Sequence, residues 1–322
     1  MYSFSGKIKL VAIISMVVGL LGIGYSFIAT PSTVEALGAH ASHDPAHAEH
    51  VLHLLQNKPW AALYVAALFF MLISLGVLAF YAINRAAQAG WAPILFRVME
   101  GITGYLPIGA LIFFLLLVFS GLHFNHLFIW MDPAVVAHDK VIQGKTGYLN
   151  VPFFLVRAAV YMLGWIAYRQ ITRKLSKAQD QAHDNRPFVK AFKWSAGFLV
   201  FFLVSESMMS WDWVMSVDPH WFSTLFGWYV FGSLIASAVA AIILVTVTLK
   251  SQGYLEHVND SHLHDLAKYL FGFSIFWTYL WFSQYLLYWY SNIPEEVTYF
   301  VTRLEHYEPI VLSMLAINFL LP

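Results

Sequence analysis

Long apolar runs constrain this chain more than any other feature. A helix that crosses a bilayer needs roughly 20 predominantly apolar residues. Eight segments meet or approach that length: 10–30, 60–83, 105–130, 149–168, 194–213, 224–249, 269–290 and 309–322. The last is too short to span. Soluble domains carry about 25% charged residues, whereas here the charged share is 11% and the hydrophobic share 59%. The expected fold class is therefore an all-α polytopic membrane protein, built as up-and-down transmembrane helix bundles. Lys7 and Lys9 precede the first run, which is longer than the roughly 7–15 residues of a signal-peptide core, so it reads as a retained first helix. The chain stops inside an apolar run, and a further C-terminal part is expected beyond it.

One integral membrane domain results. Residues 10–30 form a peripheral first helix and 31–59 a His-rich outer loop. Residues 60–213 form a first four-helix bundle, and 224–322 an incomplete second one. Cytoplasmic loops of membrane proteins are enriched in Lys and Arg. Of the 18 such residues here, 13 fall in the N-terminal tail and in the loops after spans 2, 4 and 6, and four fall on the other side. That asymmetry puts the N-terminus in the cytoplasm.

The outer loop holds His40, His43, His47, His50 and His53. Their spacing puts all five on one helical face, and imidazole suits Zn or Cu. Pro45 interrupts the run, however, and no thiol or carboxylate completes a ligand set. We read the tract as the solvated face of a surface helix, with no metal.

Charged side chains at bilayer depth are costly and mark function by default. Three stand out: His123, Arg157 and Glu206. Counting turns from Trp130, Leu149 and Trp213 as outer-end markers, each lies roughly 10–12 Å below the outer surface. That common layer predicts an Arg157–Glu206 pair with His123 beside it. His126 follows His123 by one turn, Tyr161 follows Arg157, and Ser210 follows Glu206. Asp132, Asp139, Asp212 and Asp218 lie above on the outer loops, completing a polar ladder into spans 3–5. Such a ladder suits quinol binding and proton release, because quinol oxidation frees two protons with its two electrons. An Arg–Glu pair that only fixes helix packing is the plainer alternative.

Other features read more plainly. Asp218-Pro219 predicts the N-cap and first residue of a short helix, and Ser223 or Thr224 a cap for span 6. Trp211, Trp213, Trp221 and Trp228 read as interface anchors. On span 7, Ser274, Trp277, Trp281, Gln284 and Tyr288 form a packing stripe, with Gln284 bonded across helices. The absence of Cys removes thiolate-held clusters and covalent haem c. His123 and His126 share one helix, which argues against a bis-His haem. P-loop, Ser-His-Asp and zinc-protease patterns are absent, and a net charge of +0 offers no field for nucleic acid.

The run His138-Asp139-Lys140 through Gly147-Tyr148-Leu149-Asn150-Val151-Pro152-Phe153-Phe154 to Arg157 resembles the NrfD/polysulfide-reductase membrane-subunit family. Two further tracts are similar to the second NrfD-like subunits of bacterial alternative complex III, a quinol:cytochrome c oxidoreductase. These are Ala89-Gly90-Trp91 and Ser216-Val217-Asp218-Pro219-His220-Trp221-Phe222-Ser223-Thr224 with Gly227 and Tyr229. The resemblance implies ten helices in two bundles and a place in the respiratory chain of the bacterial inner membrane. It implies partners: a sister NrfD-like subunit, an iron–sulfur subunit, c-type cytochrome subunits and a terminal oxidase. Haem c and iron–sulfur clusters would sit on those partners, and menaquinol or another quinone would be the mobile carrier. In such complexes the sister copy is the better candidate for quinol beside the cluster. The copy resembled here is associated with proton conduction or with holding the complex together. By position, His123, Asp139, Arg157, Glu206 and Asp212 carry over to the polar path. Two other readings stand beside it: a secondary transporter with an intramembrane His/Arg/Glu site, and a structural anchor for redox subunits.

Overall fold

The computed structural model describes residues 6–31, 33 and 45–321, apart from the side chains of 45–47, 49 and 50. His40 and His43 lie outside the described residues, as do the side chains of His47 and His50. Every regular element among the described residues is helical. We label the long helices α1 (Gly6–Ala29), α2 (Pro45–Ala86), α3 (Ala92–Gly121), α4 (Val151–Gln179), α5 (Arg186–Val217), α6 (Phe226–Ser251), α7 (Asp260–Ser291) and α8 (Pro294–Leu315). Helices α1 to α6 are long and apolar enough to cross a membrane. The chain is an all-α, multi-pass membrane protein.

Six apolar spans are fewer than the eight segments expected. Helix α7 is 32 residues long, but Trp, Tyr, Ser and Gln dilute its Leu, Ile and Phe. Of the expected segment 309–322, the described residues 309–321 form no separate element. They continue α8, which begins at Pro294 and carries Glu295, Glu296, Glu305 and Glu308, and they pass into a π-helical turn, Ala316–Leu320.

Helix boundaries follow local chemistry. Pro45 does not break a helix but opens α2, at the first position where its missing N–H costs nothing. Most of the expected outer loop that the structure describes is thus helix, and Pro59 lies inside it. Asn150 caps α4 by accepting from Phe153 N at 3.0 Å, with Pro152 in the first turn. Asn259 and His262 form a reciprocal capping box on α7. The expected Ser223 or Thr224 cap on α6 is not made. Leu225 occupies that position, and no side chain caps the helix. Asp218-Pro219 forms a turn and starts no helix.

Helices α2, α3, α4 and α5 form an up-and-down bundle, with α2 packed on both α3 and α5. Helix α6 packs against α2, α7 against α6, and α8 against α7. At the α2–α6 crossing, a side chain on Gly76 would begin 2.6 Å from Leu234 O. Small residues at such crossings let backbones approach closely enough for dispersion to hold spans together in lipid. Helix α1 buries no residue and meets α2 where Phe27 sets its ring edge-on to Trp60. Exposed Leu163, Val200 and Leu244 face outward, as lipid-facing side chains should. Trp165, Trp213, Phe113 and Phe154 fill the first bundle's interior.

Candidate functional site

The buried polar centre of the first bundle joins α4 to α5. Arg157 lies two turns into α4 and Asp212 near the end of α5. Arg157 Nε donates to Asp212 Oδ2 at 2.8 Å, and Nη2 donates to Oδ1 at 2.9 Å. This is the bidentate fork that suits guanidinium and carboxylate geometry. Tyr161, one turn on, donates to Asp212 Oδ2 at 3.3 Å. Arg157 Nη1 donates to the Tyr148 carbonyl at 3.0 Å. The guanidinium also lies over the rings of Tyr148 and Phe153, at 3.9 and 4.3 Å. Asp212 is 0% exposed and Arg157 5%, so each charge depends on the other.

The expected Arg157–Glu206 pair is therefore not formed. The depth markers explain the difference. Trp213 and Trp130, the outer-end markers of that count, are both buried inside the bundle. Helical turns continue past Trp213 to Val217, so Glu206 lies deeper than the count implied. Trp165 Nε1 donates to Ser205 Oγ at 2.9 Å, which sets Ser205 level with Trp165, two turns beyond Arg157. Glu206 is buried, and its Oε1 has no partner among the described residues.

Asp212 reaches Arg157 from a π-helical turn, Ser210–Val214. A π turn carries one residue more than an α turn, and such turns recur at functional sites. Hydroxyls satisfy the carbonyls around it. Ser210 Oγ donates to Ser207 O, Ser216 Oγ to Asp212 O at 2.5 Å, and Tyr64 of α2 to Trp213 O at 2.7 Å.

Above this centre the loops close on one another. Asp139 caps a short helix, Lys140–Gln143, through Oδ1, and its Oδ2 meets His220 Nε2 at 2.5 Å. Lys145 Nζ donates to Pro219 O at 2.5 Å. The His220 hydrogen bond, then the Ile142 N–H, hold the Asp139 carboxyl below its ordinary value. A cavity of about 450 Å³ opens here, lined by Lys145, Tyr148, Trp211, Ser216, Trp221 and Phe222 among others. Burial first, and Asp212 next, push the Tyr148 hydroxyl well above its usual range. Asp218 stands exposed in its turn, 3.9 Å from His220 Nδ1. Trp221 stacks on Tyr299 at 4.2 Å and is buried, so it is no interface anchor.

His123, His126 and Asp132 lie elsewhere. Helix α3 ends at Gly121, and His123 follows it exposed, with φ +63°. It is neither in a span nor in the Arg157 layer. His126 packs its ring on that of His53 at 4.3 Å, and its N–H donates to Asn57 Oδ1. Burial, then His53, lower the His126 pKa below 6.5. Asp132 caps Pro133–His138 by accepting from Ala134 N. Together these groups line a cleft of about 150 Å³. Among the described residues no group of three His, Asp or Glu is placed to hold a metal.

A second polar centre, at the opposite end of the bundle, escaped the sequence reading. Glu100 is 6% exposed. Its Oε2 accepts from Arg97 and from Arg173, and its Oε1 accepts from Tyr81. Arg85 Nε donates to Tyr81 Oη at 3.1 Å and lies over the Phe96 ring. Asp180 pairs with Arg97. With span 3 beginning at Tyr105, Glu100 reads as a loop residue. The available signal was that Glu100 is the sole Asp or Glu between residues 60 and 131. On α7, Ser274, Trp277 and Gln284 are buried as a packing stripe, although Gln284 Nε2 lacks the expected partner across helices among the described residues.

Comparison of the chain with protein-family models and with curated proteins finds no match.

Proposed function

We propose that this chain is an integral membrane subunit of a quinol:cytochrome c oxidoreductase of the alternative complex III type, and that its first bundle supplies a proton path linked to quinol oxidation. One observation carries the reading: a buried Arg157–Asp212–Tyr161 centre on a π turn, with Glu206 buried deeper on the same helix and without an ion partner among the described residues. Lipid-embedded helices need no buried charge merely to pack. A carboxyl that takes and gives up protons inside the bilayer is a recurring part of proton relays. The cavity beside Tyr148 and the Asp139–His220 contact extend the polar groups to the bundle end. In this reading that end faces outward from a bacterial inner membrane, and the N-terminus is cytoplasmic. With no Cys on the chain, iron–sulfur clusters and haem c belong to partner subunits. A sister NrfD-like subunit and a c-type cytochrome are the partners proposed.

Glu206→Gln keeps the shape of the side chain and removes its titration. In assembled complex of normal haem content, quinol:cytochrome c turnover and coupled proton release should fall by at least about tenfold, as when a proton-transfer group is lost. Unchanged turnover in intact complex would leave the bundle as an anchor for redox subunits.

A further inference from the structure

The centre around Glu100 holds more positive charge than it neutralises. Arg85, Arg97, Arg169 and Arg173 gather near Glu100 and Asp180. Arg97 serves both carboxylates and Arg173 serves Glu100. Arg85 is accommodated by the Tyr81 hydroxyl and the rings of Phe96, Tyr81 and Phe188. Arg169 is left over. Its Nε is buried with no partner among the described residues, and its Nη2 lies 3.7 Å from where a side chain on Gly104 would begin. Arg169 is half-buried, and a guanidinium that keeps a buried Nε–H unpaired beside a second arginine suits an oxyanion.

We propose that Arg169 and Arg173 bind the phosphate of an anionic phospholipid at this end of the bundle. Three features favour a lipid over a free phosphate ion. The site lies at the basic end of the spans, where an anionic headgroup is drawn to the membrane surface. The side chains of Arg97 and Arg173 are 41% and 34% exposed, so a headgroup has access from the side. Ile108 and Ile112 follow Gly104 one and two turns toward the bilayer centre. They are 58% and 43% exposed, an apolar track for an acyl chain leading away from the guanidinium.

The test uses the full chain in nanodiscs of phosphatidylcholine with a minor share of phosphatidylglycerol, followed by native mass spectrometry of retained lipid. Arg169→Gln breaks no ion pair among the described residues and should lower phosphatidylglycerol retention about fivefold, the loss expected when one direct contact to the phosphate is removed. Arg186→Gln changes an exposed arginine at the same end, 87% exposed and paired with Asp184, and should leave retention unchanged. Gly104→Leu covers the Arg169 fork without altering charge and should reproduce the loss, which keeps the test open if Arg169→Gln folds poorly. Inorganic phosphate added in excess should displace no lipid. Full retention in the Arg169 and Gly104 variants, or displacement by inorganic phosphate, overturns the assignment.

Discussion

Arg157 and Asp212 are each costly to bury, and only their mutual geometry makes them tolerable. Removing one partner from such a pair typically costs about 3–5 kcal/mol, whereas replacing both with apolar residues is often neutral. Asp212→Leu should therefore destabilise the protein by about that amount, and Arg157→Leu combined with Asp212→Leu should recover most of it. A denaturant or thermal cycle on the two single variants and the double variant measures the coupling. A pH effect follows from His126. Because burial and His53 depress its pKa below 6.5, the unfolded chain binds the proton more readily. The neutral ring's contribution to stability is complete above pH 6.5 and is lost as the pH falls below it. Melting curves on either side of that value should show a smaller acid-side loss in His126→Gln than in the unaltered chain. Arg157, Asp212 and Tyr161 were visible in the sequence as polar residues in or near spans. Their pairing was not, because a turn of five residues changes which face a side chain occupies, and apolar patterning does not reveal that change.

At the scale of elements, the crossing of α2 with α6 rests on Gly76. A Cβ there would lie 2.6 Å from the Leu234 carbonyl and 2.9 Å from Ala238 Cβ, and neither can withdraw without moving α6. Gly76→Val should cost at least about 1–3 kcal/mol, the usual range for overpacking, read as a lowered melting temperature in detergent. Helix existence was legible throughout from the apolar runs, and the ends were not. Helix α4 runs to Gln179 because Arg, Lys, Gln and Ala past Tyr168 are good helix formers that hydropathy alone excludes. The whole 105–130 segment is apolar enough to span, yet the helix stops at Gly121, the chain turns at His123 and Trp130 folds back into the bundle.

For the whole molecule, an all-helical multi-pass architecture was readable from composition and run length, whereas the partners of a subunit leave no mark in its own apolar patterning. The proposed assembly predicts that gentle solubilisation brings this chain down with haem c and iron–sulfur absorbance. Isolation as a lone, colourless protein from cells making the complex would exclude that assembly. Helix α2 has 42 residues, roughly 63 Å at about 1.5 Å per residue, against a hydrocarbon thickness of about 30 Å. About half of it must stand clear of the acyl chains. This mast carries His53 near its top, supports the π turn through Tyr64, crosses α6 at Gly76 and roots Arg85 among the basic groups below. A subunit that grips the projecting turns would hold both polar centres by one handle, and tilting that handle would move them together.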